Sequence, residues 1–135
     1  MKTRPWMWGK FIWNMFDFAS DGRNEGDTAG RNDKGLVTYD RQTRKDAFYW
    51  YKANWSKEPF VHINYSRFTA MPKSANEIRV YSNQPSVDLK LNGTSLGAKQ
   101  APDHLFIWTG VTWAAGQNVV DAVAGTSTDK VTWTN

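Results

Sequence analysis

The sequence contains no cysteine, and among its 135 residues only His62 and His104 are histidines. Disulfide frameworks, thiolate metal sites and a cysteine nucleophile are therefore excluded, and a histidine-rich zinc site with them. Glutamate is almost as scarce, limited to Glu25, Glu58 and Glu77. No stretch approaches the roughly 18–20 apolar residues of a membrane-spanning helix, so membrane insertion is not expected. The opening Met1-Lys2-Thr3-Arg4-Pro5-Trp6 lacks the apolar core of a signal peptide, which leaves the compartment open. One-sided charge is missing too: 17 basic and 13 acidic residues are interspersed, and the longest basic run is Arg44-Lys45. A nucleic-acid binder concentrates its positive charge on one face, so that class is set aside. What remains abundant is aromatic: 8 Trp, 5 Tyr and 7 Phe beside a 22% charged fraction, the balance of a folded chain whose chemistry rests on carboxylates, amides and rings.

Composition and period change near Pro59. Residues 1–58 carry five of the eight tryptophans and 19 of the 30 charged residues, and read as strand, long loop and helix. Lys10 to Phe18 is a short, aromatic-rich apolar run that predicts a strand covered on both faces. Ser20 to Lys34 reads as a glycine-punctuated loop of the length that usually carries function. A helix is expected over 43–55, with Thr43 as cap, Asp46 in the first turn, and Ala47, Phe48, Tyr51 and Trp55 on its apolar face.

Residues 59–135 read as strands alone. Ile78 and Val80 alternate with Arg79 and Tyr81, and Val87, Leu89 and Leu91 alternate with Asp88 and Lys90, the period of a sheet with one wet face. Asn92-Gly93 directly after that run is the strongest hairpin signal in the chain, because both residues tolerate positive φ. Further segments are expected at 60–65, 104–108, 111–113, 118–124 and 130–133. Short strands with turns between them describe an immunoglobulin-like β-sandwich. Two domains follow, 1–58 and 59–135, in a mainly β fold.

Tempting residues need weighing. Asp17, Asp21, Glu25 and Asp27 resemble a glycosidase carboxylate pair, but loop carboxylates beside Arg23 and Arg31 are expected to order the loop. Trp13, Phe106, Trp108, Trp113 and Trp133 suit a sugar platform or a core; the core is favoured for Trp13 as an isolated aromatic in a strand, and by alternation for those in the sandwich. His62 and His104 have no partner motif. Gly22, Gly26 and Gly30 lack a strand–GxGxxG–helix context, and Lys34 is not followed by Ser or Thr, so nucleotide binding is unsupported. No cofactor and no metal are expected.

Trp8 to Phe18, Asp21 to Asp27, Asn32 to Arg41 and Lys45 to Trp55, read as one string, resemble the C-terminal end of the catalytic barrel of glycoside hydrolase family two, especially bacterial β-galactosidase-like members. Glu77 to Asn83, Val87 to Gly93 and Gly116-Gln117-Asn118 resemble the immunoglobulin-like domain that follows that barrel. The resemblance implies that residues 10–18 are the eighth strand of a (β/α)8 barrel, 19–37 the loop at its C-terminal face and 43–55 the eighth helix, so that residues 1–58 are a remnant of the barrel. Trp13 matches the family's tryptophan lining the sugar pocket. Asn32 and Lys34 match an Asn-x-Lys pattern that holds the sugar carboxylate in β-glucuronidases, a pairing of amide and ammonium with an anion.

The same resemblance implies retaining hydrolysis by two glutamates at the ends of the fourth and seventh strands, and none of Glu25, Glu58 or Glu77 matches either position. The expectation is therefore a C-terminal fragment of a β-galactosidase-like hydrolase with no catalytic residue of its own, whose parent binds a β-galactoside-like carbohydrate. Two alternatives are a free-standing non-catalytic carbohydrate-binding or scaffolding sandwich, and a β-glucuronidase parent. Residues 1–58 are expected to seek a cover, by self-association or by complementing a truncated barrel. A bacterial parent, periplasmic or extracellular, fits the resemblance.

Overall fold

A computed structural model describes residues 4–25, 28–71 and 75–135. It contains nine strands and one helix among those residues, in two compact units, Met1–Lys45 and Asp46–Asn135. The division falls ahead of the helix, which groups with the sandwich.

In the first unit, β1 (Phe18–Glu25) and β2 (Thr28–Asn32) pair as an antiparallel ribbon with a register shift at Asn24. The segment read as a loop is thus mostly a hairpin, although Gly, Asp and Asn are depleted in strands. Gly30 takes φ +71, which glycine adopts at little cost. The doubly covered strand expected at 10–18 is realised only at its end. Phe16 forms a parallel bridge with Val37. Leu36 donates to the Asn14 carbonyl at 3.1 Å, Val37 to that of Met15 at 3.0 Å, and Asp17 to that of Val37 at 3.0 Å. Upstream, Phe11 is 93% exposed and Trp13 74%, so the aromatic character that suggested two-sided burial lies open in this unit.

The second unit begins with α1 (Asp46–Trp55). Thr43 is not its cap: the Thr43 amide donates to the Thr38 hydroxyl at 3.0 Å and its carbonyl accepts the Thr38 amide, closing a turn instead. The expected apolar face is also displaced. Ala47 and Trp55 are exposed, whereas Ala53 is buried and Tyr49 stacks on His62 with ring centroids 3.4 Å apart. Asp46, Tyr49 and Ala53, spaced three and four apart, form the inward face.

The sandwich has two antiparallel sheets. One holds β3 (Val61–Ile63), β4 (Glu77–Ser82) and β7 (Leu105–Thr109) in the order β3-β4-β7. The other holds β5 (Ser86–Leu91), β6 (Thr94–Gln100), β8 (Gln117–Ala124) and β9 (Ser127–Thr134) in the order β6-β5-β8-β9. Period-two alternation sends Ile78, Val80, Val87, Leu89, Phe106, Trp108, Val120, Ala122, Val131 and Trp133 into one core. Each valine, leucine, isoleucine or phenylalanine among them contributes about 1.5–3 kcal/mol on full burial. The Asn92-Gly93 hairpin forms as the sequence predicts, with φ of 51° and 80° between β5 and β6. Residues 111–113, expected as a strand, are irregular, and Trp113 packs edge-on against Trp133.

Two fully buried polar side chains of the sandwich, Asn118 and Ser82, are paired into the backbone, whereas His62 Nε2 and Asn64 Oδ1 are buried without a hydrogen-bond partner among the described residues. Asn118, fully buried, accepts from the Ala114 amide at 2.9 Å and donates to the Ala114 and Gly116 carbonyls. Ser82 donates to the Phe60 carbonyl at 2.7 Å. Such pairing removes the penalty of a buried unsatisfied group.

Candidate functional site

The chemistry-bearing side chains of the first unit gather around the turn at 32–35. Gly35 sits so close to the preceding chain that a Cβ there would lie 2.2 Å from the Asp17 nitrogen, so only glycine fits. Asp17, 3% exposed, accepts the Gly35 amide at 2.9 Å and the Lys45 ammonium at 2.7 Å. Lys45 also donates to the Asp33 carbonyl at 2.5 Å. A buried carboxylate is stable only when paired and hydrogen-bonded, and here both conditions are met. The result is a turn fixed from beneath.

Asn32, 5% exposed, closes that turn by accepting the Lys34 amide on Oδ1 at 3.1 Å. The Lys34 ammonium lies 2.6 Å from Glu25 Oε1, the same oxygen that Arg23 Nη1 approaches at 3.1 Å. Glu25 Oε2 accepts the Asp33 amide at 3.1 Å. The Lys34 hydrogen bond, then the Asp33 amide, hold the Glu25 carboxyl down at about 2. Asp40 is held below its ordinary value by the Thr38 hydroxyl at 2.6 Å and then by the Gln42 amide.

Trp13 meets Phe18 edge to face with centroids 6.0 Å apart, and Phe18 is the cross-strand partner of Asn32. Of the three residues singled out from the sequence, Asn32 and Lys34 are joined directly by a hydrogen bond, while Trp13 contacts Phe18, the residue opposite Asn32 on the ribbon. The Trp13–Asn14 peptide bond is cis. Asp17, Lys45 and Gly35 escaped sequence reasoning as site supports. Asp17 and Lys45 are 28 positions apart with no motif joining them. The pairing of Glu25 with Arg23 agrees with the loop-ordering role expected for the acidic residues, while Asp27 and Gly26 lie outside the described residues.

The sandwich places its tryptophans differently. Trp108 and Trp133 are buried, and their indole N–H groups donate internally to the Gly97 and Tyr65 carbonyls. Trp113 is half-buried and donates to the Ala75 carbonyl at 2.8 Å. They form core, not an exposed platform. His62 lies between Asp46 at 3.5 Å and Asp129 at 3.6 Å, and His104 takes φ 65 in the turn before β7. Among the described residues no group of three His, Asp or Glu side chains is placed to hold a metal, and no helix is long and apolar enough to cross a membrane.

Comparison with known proteins places these features in context. Residues 74–132 match the model of a domain of unknown function, DUF4982. A β-glucuronidase of Bacteroides fragilis is 43% identical over 119 residues, which cover 87% of this chain and 17% of that protein. The crystal structure of an FMN-binding β-glucuronidase from Facaelibacterium prausnitzii L2-6 superposes with a TM-score of 0.89 at 46% identity, covering 98% of this chain and 20% of that one. A Bacteroides fragilis structure whose name assigns it to the β-galactosidases gives a TM-score of 0.82 at 39% identity, over 90% of this chain and 19% of the other. This chain thus spans about a fifth or less of the length of each of these relatives. In sequence and in fold the chain is similar to a domain of these glycoside hydrolases, β-glucuronidase- or β-galactosidase-like.

Proposed function

We propose that the chain is the C-terminal, non-catalytic part of a β-glucuronidase-type glycoside hydrolase, in which the sandwich is scaffold and the turn at 32–35 contributes to sugar recognition. Residues 10–55 then correspond to the last strand, loop and helix of the parent barrel, and a glucuronidase parent replaces the galactosidase-like one expected from the sequence. The observation that carries the reading is the half-exposed Lys34 side chain on a turn braced by Asn32 and Asp17, in a unit where Trp13 is also exposed. A cation and an amide suit a uronate carboxylate, and an indole face suits the ring. The curated relatives matched over most of this chain are named β-glucuronidases.

Catalysis by this chain alone is argued against by its carboxylates. Retaining hydrolysis needs two carboxyl groups about 5–5.5 Å apart, one of them an acid of raised pKa. Glu25 is shifted downward and ion-paired, Glu77 is engaged by Arg79 at 2.6 Å, and Asp17 is held by Lys45. The purified chain, free of host enzyme, is expected to leave nitrophenyl β-D-glucuronide and β-D-galactoside intact; sustained turnover of either would falsify the reading.

Scaffolding is favoured over independent sugar binding for the sandwich because its three tryptophans are committed to internal packing and hydrogen bonds. Affinity electrophoresis of residues 46–135 on several polysaccharides is expected to give no retardation. Retardation lost on mutating an exposed side chain such as Tyr65 or Phe68 would restore the binding-module reading.

A further inference from the structure

Lys34 is not a free cation. Its ammonium is 2.6 Å from Glu25, so any sugar carboxylate that approaches meets an anion already in place. The same Glu25 oxygen is also claimed by Arg23 at 3.1 Å. Two cations share one carboxylate, and these three side chains together keep a single positive charge. Both cations are about half exposed, at 48% for Lys34 and 53% for Arg23, while Glu25 at 21% is the more enclosed. Glu25 is further tied by the Asp33 amide on its other oxygen, which keeps the carboxylate at the turn even if one ion pair breaks.

We propose that Arg23 and Glu25 set the selectivity of the Lys34 site between carboxylated and neutral sugars. Glu25 is the internal anion that a uronate must displace from Lys34, and Arg23 is the second cation that retains Glu25 when Lys34 is released. This rests on the reading of Asn32 and Lys34 as a carboxylate-binding pair. With Glu25 present, a neutral sugar meets no penalty at Lys34, whereas a uronate competes. Exchange of one ion pair for another leaves the cluster balanced only because Arg23 is there. Glu25 and Arg23 are positioning residues in this scheme, acting through Lys34, and their removal has opposite signs. A purely structural role for the pair would make both substitutions act in one direction.

The test is an NMR titration of the full 135-residue chain with methyl β-D-glucuronide and, separately, methyl β-D-galactoside, following the amides of residues 32–35. Glu25→Gln keeps an acceptor for the Asp33 amide but removes the anion. It is expected to tighten the glucuronide by about two- to fivefold, the range an exposed ion pair commands, and to leave the galactoside unchanged. Arg23→Gln is expected to weaken the glucuronide by a similar factor, because Glu25 then belongs to Lys34 alone. Lys34→Met is expected to abolish the glucuronide response. If Lys34→Met abolishes it while Glu25→Gln leaves it unchanged or weaker, the selectivity role is overturned and the carboxylate site stands. If the glucuronide response survives Lys34→Met, or no variant responds to the glucuronide at all, the carboxylate site itself is wrong and the selectivity role falls with it.

Discussion

The two units of this chain are held by different physics. Asp46–Asn135 is a sandwich with a continuous apolar core, in which Trp133, Phe106, Ile63 and Leu89 are almost wholly removed from water. Met1–Lys45 buries few apolar side chains, Leu36 and Val37 among them, and is organised by charged clasps: Asp17 with Lys45 and Gly35, Glu25 with Lys34 and Arg23, Asp40 with Thr38. Apolar burial is additive and indifferent to direction, so the sandwich has many small contributors. A clasp depends on one partner, and losing it leaves a charge stranded. The contrast suits the proposed division of labour, in which one unit serves as scaffold and the other supplies a polar turn for a polar ligand.

The largest effect is expected in the sandwich. Trp133→Ala empties a fully buried site that also packs on Trp113, and should lower stability by about 3–5 kcal/mol, read by chemical denaturation. A loss below about 1 kcal/mol would mean that the core collapses around the gap and is less dependent on packing than its burial implies. Lys45→Met tests the other side. It removes the ion pair of Asp17, 3% exposed, while keeping the Gly35 amide bond, and should cost about 3 kcal/mol. The comparison predicts that the damage is local: amides 14–17 and 33–37 should lose hydrogen-exchange protection while those of β5 and β8 keep it. Protection lost equally in both units would show that they are one cooperative body.

A smaller effect is expected at the hairpin. Gly93→Ala forces a side chain into φ +80, at a cost of about 1 kcal/mol, visible as a lowered thermal midpoint of the sandwich transition. A value near zero would indicate that the turn relaxes to another type and that packing, not the Asn92-Gly93 geometry, fixes the β5–β6 register.

The same division explains what was legible in the sequence. Alternation in 78–81 and 87–91 and the Asn92-Gly93 turn gave strands, register and inward faces directly, because one-sided burial leaves a period-two trace. The first unit left no such trace. Phe11 and Trp13 look like core by composition yet lie exposed, and the polar run after Ser20 is a ribbon whose shape comes from clasps between residues eight to twenty-eight positions apart. Helix α1 lies close to the span its sequence predicts, but hydrophobicity does not mark its inward face, because Asp46 and Tyr49 face inward for polar and stacking reasons, against Tyr65 and His62. Trp13, Asn32 and Lys34 are marked in the sequence only by a family resemblance, whereas the contact of Glu25 with Lys34 is visible only in three dimensions.

Acid titration gives the finest separation between the units. Glu25 titrates at about 2 in the folded chain, from an ordinary value of 4.5. A carboxyl whose folded value is depressed stabilises the folded state fully above its unfolded value; that contribution declines as pH falls from there and is gone once pH passes through the folded value. The β1–β2 clasp should therefore weaken between about pH 4.5 and about pH 2, seen as loss of the Asp33 and Lys34 amide protection, while the apolar core of the sandwich has no carboxylate to protonate. The carboxyl carbon shift of Glu25 is expected to report the midpoint near 2, and Lys34→Met, which removes the largest cause of the depression, should move it upward. If the midpoint stays at the ordinary glutamate value in the unmodified chain, Glu25 does not hold Lys34 in solution, and the polar turn is organised by Asp17, Lys45 and Asn32 without it.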